Sequence, residues 1–337
     1  MFRMHRSRTV ALAAIVALGL ALGAANVVLA QAPSELVSRY VTTSASLTDP
    51  LAPVWSNVPA VEMPLTAQSA APPALLQRSV RSVRVRSVND GQWISFLLEW
   101  DDSTRDVRAS RPDEFRDAAA IQMPVDASIP GGCMGARGKP TNLWHWKGDW
   151  QNDIDKGFQD VTQAYPNFWK DYYPFVVGKP PYQVPADFPS TDARTYMVGW
   201  SVGNPLSQPM RVTPVEELAA HGFGTATSRS SQNVLGRGAW QNGVWRVVFS
   251  RPMALSETDT VQFVPGGTAH AAFAVWNGSN QEVGARKQLS SDVTLSIEGN
   301  PSSTLPWWVI IAAGALALAF GGAIVYAYIG LTGPRTS

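Results

Sequence analysis

A single cysteine, Cys133, is all the thiol chemistry available to this 337-residue chain. It excludes an internal disulfide, covalent attachment of a c-type heme through C-x-x-C-H, and a four-cysteine iron–sulfur cluster built from this chain alone. Charge is scarce as well. Charged residues make up 16% of the chain, against about a quarter in an ordinary globular protein. The 27 basic and 26 acidic side chains leave a net charge of +1, so there is no basic stripe for nucleic acid. The four histidines, His5, His145, His221 and His270, have no triad spacing. No G-x-S-x-G elbow, H-E-x-x-H, zinc knuckle, P-loop or dinucleotide fingerprint occurs. Nucleophilic hydrolysis, zinc hydrolysis and phosphate cofactors therefore have no support, and ligand binding or electron transfer remains.

What the chain does have begins with two apolar ends. Arg3, His5, Arg6 and Arg8 precede VALAAIVALGLALGAA, and VVLA precedes Gln31. Basic head, apolar middle and small residues at the exit predict a signal peptide over 1–30, cleaved after Ala30, with an uncleaved anchor as the alternative because the apolar stretch is long. At the other end, 305–330 reads LPWWVIIAAGALALAFGGAIVYAYIG, an uncharged run longer than the ~20 residues that cross a bilayer. Trp307 and Trp308 near one end and Tyr326 and Tyr328 near the other stand where aromatic belts form, and Arg335 belongs to a cytoplasmic tail, 331–337. These features predict a single-pass cell-membrane protein, with its folded domain, 31–300, on the extracytoplasmic (periplasmic) side.

The body reads as strands. VRSVRVRSV (80–88) and QWISFLLEW (92–100), rich in β-branched and aromatic residues and separated by Asn89, Asp90 and Gly91, predict a hairpin. DAAAIQMPV (117–125) predicts a short buried strand in which Met123 is core. A second hairpin is expected in GRGAWQNGVWRVVFSRPM, with its turn at Gln241 to Gly243, followed by strands in HAAFAVWNGSN and DVTLSIE. Pro214 to Ala220 predicts a helix, with Pro at its first position, Glu216 and Glu217 in its first turn and Gly222 as its stop. An aromatic and proline-rich stretch, 152–196, interrupts the pattern and predicts an insertion that covers a ligand, docks a partner or packs on its own domain. The fold class expected is mainly β: one β-sandwich with a C-terminal transmembrane helix.

Chemistry concentrates in PGGCMGARGKPTNLWHWKGDWQ, Pro130 to Gln151. A glycine loop carrying the thioether of Met134 leads into a strand expected to place Trp144, Trp146 and Trp150 on one face. Leu143, His145, Lys147 and Asp149 fall on the other. A soft sulfur and a nitrogen base are thereby expected to approach each other, while Gly131, Gly132, Gly135 and Gly138 permit the close backbone approach of a flat ligand. The same pattern also suits a plain connecting loop.

The stretches DAAAIQMPV, GGCMGARGKP, NLWHWKGDWQ, PVEELAAHGFGTAT, GRGAWQNGVWRVVFSRPM and HAAFAVWNGSNQEVGARK, in that order across roughly 80–298, resemble the heme b-binding gamma subunit of ethylbenzene dehydrogenase. Its relatives serve dimethylsulfide dehydrogenase and selenate, chlorate and some nitrate or nitrite enzymes of the type II DMSO reductase family. The resemblance implies a β-sandwich gripping one noncovalent heme b between a methionine and a lysine. By motif these are Met134 and Lys147, with Gly135 and Trp146 beside them in the cofactor site. Lys179 and His145 are rival nitrogen ligands. Partners implied are a molybdopterin catalytic subunit, an iron–sulfur subunit and a quinone or cytochrome. The chain departs from the family in its C-terminal helix and in the size of the 152–196 insertion. A different class also stands open: a membrane-tethered, heme-free module whose Trp-rich strand stacks on a carbohydrate or another flat ligand.

Overall fold

Alternation of apolar and polar residues in the expected hairpins is what builds the sheets. The computed structural model describes residues 33–301 except 34, 43–46, 127, 129–133, 160, 168–197, 209 and 258, together with 311 and 315–324. β4 (Ser82–Asn89) and β5 (Trp93–Asp101) form the first hairpin, and β10 (Leu235–Gln241) and β11 (Val244–Pro252) the second. The second turns at Asn242 and Gly243, both at positive φ (52° and 75°), the backbone that a tight two-residue turn between twisted strands requires.

One sheet runs β10-β11-β5-β4, then β1 (Glu35–Tyr40), β14 (Val293–Ile297) and β12 (Thr268–Trp276). The other runs from β12 to β6 (Ala118–Pro124), β7 (Thr141–Lys147), β8 (Val215–Ala220) and β9 (Thr227–Ser228). Short β2 (Val61–Pro64) pairs with β4, and β3 (Thr66–Ala67) with β13 (Gln288–Leu289) beside β12. β12 belongs to both sheets: residues 268–271 pair with β14 and residues 272–276 with β6. The sheets therefore face each other, and Phe96, Leu98, Trp100, Trp245 and Phe249 of one meet Ile121, Met123, Trp144, Trp146 and Val215 of the other in a single buried core. Met123 is core, as its strand predicts.

Two local expectations are corrected. Residues 215–220 are not a helix but β8, paired residue for residue with β7 from Trp146↔Val215 to Thr141↔Ala220. A strand sends Glu216 and Glu217 to opposite faces, and each meets its own cation there: Lys147 for Glu216, Arg229 and Arg251 for Glu217. That pairing outweighs the helical preference of two glutamates after a proline. The second correction concerns the strand expected to run through Gln151, which ends at Lys147, where α1 (Gly148–Lys156) begins. Gly148 donates its N–H to the Asp117 carbonyl at 2.9 Å, and a Cβ at Gly148 would lie 2.9 Å from that oxygen, so the chain turns there by close backbone packing. Asp149 and Trp150 are thus helical and do not extend the alternation of the strand.

The expected insertion opens with the end of α1 and α2 (Val161–Ala164), and α3 (Val198–Ser201) follows it. Lys179 and most of the aromatic run lie outside the described residues. So do the expected signal, 1–30, and most of 305–330; residues 315–324 are helical. Among the described residues no helix is long and apolar enough to cross a membrane.

The packing of Trp146 generates a stability prediction. A Cβ at Gly238 in β10 would collide with the Trp146 indole, which is itself wedged against Trp100 and Trp245. Gly238→Ala should cost about 1–3 kcal/mol by overpacking, read as a lower midpoint in urea unfolding. An unchanged midpoint would show that the core yields there.

Candidate functional site

β7 carries the tryptophan–histidine–lysine run, and its two faces differ. Trp144 and Trp146 point into the core and are fully buried, Trp146 lying 6.2 Å from Trp100 and 4.9 Å from Trp245. Neither indole is available to stack on a ligand from solvent. On the outer face, Lys147 is 3% exposed and its Nζ is hydrogen-bonded to Glu216, whose other oxygen takes the Ser228 hydroxyl. The Lys147 ammonium also lies 4.0 Å over the Trp150 ring, which the Arg211 guanidinium covers at 3.8 Å. Burial lowers the Lys147 pKa, and the Glu216 carboxylate opposes the shift. His145 packs 4.9 Å from the Trp276 ring, and its Nε2 is buried with no hydrogen-bond partner. Burial, reinforced by Lys147 and Arg116, holds this imidazole neutral, well below its usual pKa.

Met134 sits elsewhere, beyond the opposite end of β7. Its φ is 56° and that of Gly135 is 78°, two consecutive left-handed residues of which only the glycine adopts that backbone without steric cost. At Gly135 a Cβ would lie 2.8 Å from the carbonyls of Ala220 and Lys139 and 3.2 Å from the Thr141 hydroxyl. The loop is thereby seated on the last β7–β8 pair, Thr141↔Ala220. Past that pair the chain leaving β8 runs alongside: Gly222 donates its N–H to the Met134 carbonyl at 2.9 Å. The Thr225 hydroxyl accepts from the His221 N–H at 2.8 Å and donates to the Gly222 carbonyl at 2.7 Å. Met134 is partly exposed, His221 exposed and Phe223 51% exposed. Gly138 and Gly224, both at positive φ, have open space where a Cβ would point.

The sulfur and the lysine are therefore not brought together. Met134 flanks Thr141, six residues along β7 from Lys147, a separation of about 20 Å at strand rise. What the sequence does not show is that the turn after β8, His221 to Gly224, runs beside the Met134 loop. The donor types at this corner suit a metal carried in a planar macrocycle, because the macrocycle supplies four nitrogens and needs only one or two soft or borderline axial donors. A metal bound by protein alone is a poorer match: among the described residues no group of three or more His, Cys, Asp or Glu is arranged to hold an ion. A cavity of about 580 Å³ at the other end, lined by Asp49, Arg105, Asp155, Arg237, Trp240 and Trp245 among others, offers neither sulfur nor imidazole.

Comparison with known proteins places these features in a family. Residues 52–288 match the family described as ethylbenzene dehydrogenase. The chain is 26% identical over 318 residues, 92% of each protein, to a Haloferax mediterranei protein described as a respiratory nitrate reductase heme subunit. It is 21% identical over 263 residues, 77% of each, to the chlorate reductase subunit gamma of Ideonella dechloratans. Among solved structures, a family 9 carbohydrate-binding module from Caldicellulosiruptor kristjanssonii in complex with glucose aligns over 81% of this chain and all of its own, at 11% identity and a TM-score of 0.39, too distant to bear on the ligand.

The state of Lys147 is testable through stability. Lys147→Ala strands a buried Glu216 carboxylate and should cost about 3–5 kcal/mol, whereas replacing both partners with apolar residues of similar volume should recover much of that loss. Denaturant unfolding of the two single variants and the double variant checks this. A Lys147→Ala protein as stable as the wild type would mean that the pair does not form.

Proposed function

The chain belongs to the ethylbenzene dehydrogenase family, and from that we propose that it is the electron-transfer gamma subunit of a molybdopterin oxidoreductase. It would carry one noncovalent heme b and take no part in the substrate chemistry. In this reading it relays single electrons between the iron–sulfur subunit and a quinone or cytochrome. A signal over 1–30 exports the domain, and the apolar run 305–330 anchors it, keeping the domain at the extracytoplasmic face, near partners in or on the membrane.

The observation that carries the reading is Met134: a thioether on a left-handed loop residue, at a corner bordered by glycines. When bound, the heme supplies a one-electron couple. Met134 would hold it from one side, and a thioether there favours the ferrous state and raises the potential. The single cysteine of the chain makes the attachment noncovalent. Resemblance to the family's motifs names Lys147 as the second ligand, a role that would require it to leave Glu216 and to close the ~20 Å of strand that separates it from Met134. The rival reading, a sugar-binding module, needs exposed indoles on the Trp-rich strand. Trp144 and Trp146 are fully buried, so that reading has lost its contact surface.

The absorption spectrum of the purified full-length chain separates the two. A b-type cytochrome should show an intense Soret band whose chromophore leaves the protein on extraction with acidified organic solvent, and Met134→Ala should lower its midpoint potential. A colourless preparation from heme-replete cells would overturn the proposal.

A further inference from the structure

We infer that the sandwich lies with its Met134 end against the lipid bilayer, Phe223 and Val264 being the apolar tips that enter the headgroup layer; this rests on the reading of 305–330 as an anchor. Strand directions fix which end that is. β14 carries the chain toward 305–330 and ends at Ile297. β12 runs antiparallel to it and begins there, with Thr268 opposite Ser296. β6, antiparallel to β12, finishes on the same side with Pro124, which pairs with Thr141 at the start of β7, and Thr141 pairs with Ala220 at the close of β8. The loop bearing Met134 and the turn from His221 to Gly224 therefore project from the end at which the chain leaves for the apolar run. The connection is short. Glu298 is still held by the domain, its N–H on the Ser38 carbonyl and its own carbonyl accepting from the Asn89 side chain. Leu305 opens the run seven residues later, at most about 25 Å of extended chain.

This end is apolar at two exposed points. Phe223, between Gly222 and Gly224, is 51% exposed and Val264 61% exposed. The Val264 turn is bound to the last residue of β14: Gly266 donates its N–H to the Ile297 carbonyl at 2.8 Å, and Ile297 donates its own to the Gly267 carbonyl at 2.9 Å. Val264 thus stands at the root of the connection to the anchor. Phe223 stands past β8, four strand spacings away through β12, β6 and β7, or ~19 Å. Apolar side chains on the rim of a domain gain by burial at the boundary between headgroups and acyl chains, and two such contacts set apart oppose the tumbling that a short flexible connection alone would allow. Charge at this end is mixed and does not drive the contact. Arg137 and Lys139 are exposed on the Met134 loop, exposed Asp126 follows β6 on the same side, and Asp259 is taken by Arg229. The opposite end differs, for the β10–β11 turn there shows Gln241 and Asn242 to solvent, with exposed Asp101 paired to Val244 beside them.

The test is photochemical and uses the full-length chain reconstituted into phosphatidylcholine–phosphatidylglycerol vesicles. A trace of phospholipid carrying a diazirine at the top of one acyl chain is activated by light, and its adducts are located by peptide mass spectrometry. Adducts should appear in 305–330, in 221–224 and in 262–266, and be absent from 241–243. Phe223→Ser combined with Val264→Ser should lower the yield in both turns several-fold and leave the yield in 305–330 unchanged. Thermal unfolding checks that the double variant keeps its fold; if it does not, each single variant reads its own turn in the same way. Adducts in 305–330 but in neither turn, equal labelling of 241–243, or an undiminished yield in the folded variants would each overturn the orientation. A wild-type chain without adducts in 305–330 would instead remove the anchor, and this inference with it.

Discussion

The ladder between β7 and β8 is the constraint on which the rest depends. Its six residue pairs fix Lys147 against Glu216 on the outer face, and at the far end they leave two loops side by side, one bearing Met134 and the other His221. The same ladder turns Glu217 inward, where its Oε1 lies 3.7 Å from Arg251 Nη1 and 3.6 Å from Arg229 Nε. Burial lowers the Arg251 pKa to about 10 and raises that of Glu217. Charges this deep gain little over apolar residues once formed, but losing one partner leaves the other unpaired in low dielectric. β8 is thereby locked in one register, and with it the position of the loop that follows.

That lock separates two tasks that one strand seemed able to combine. The Lys147 end of β7 is closed by an ion pair, an indole and Arg211, all of which hold the second sheet and α1 together. The Met134 end is bordered by glycines and carries an exposed imidazole and phenyl ring. A stable sandwich needs the closure at the Lys147 end, and the proposed cofactor would take the other.

Much of the fold was legible because strands announce themselves locally. The hairpin 80–100 shows β-branched residues around N-D-G, the hairpin 236–253 turns at N-G, and DAAAIQMPV forms β6 as its apolar run suggests. β8 was not legible: P-V-E-E carries the local marks of a helix start, and only the remote Lys147, Arg229 and Arg251 make both glutamates stable in a strand. The end of β7 at Gly148 was hidden for a similar reason, since a close approach to the Asp117 carbonyl has no signature in the neighbouring residues. At the site, the glycine loop and Met134 could be picked out by composition. The turn from His221 to Gly224 could not, because its place beside that loop comes from a hydrogen bond between Gly222 and Met134, two residues far apart in the chain.

The position of the iron decides which end of β7 is the cofactor site. Crystals of the full-length chain with its heme, measured at the iron absorption edge, would give that position directly from anomalous scattering. One iron is expected beside Met134, past the Thr141↔Ala220 end of the ladder. An iron beside Lys147 at the other end, or in the cavity lined by Trp240 and Trp245, would contradict it.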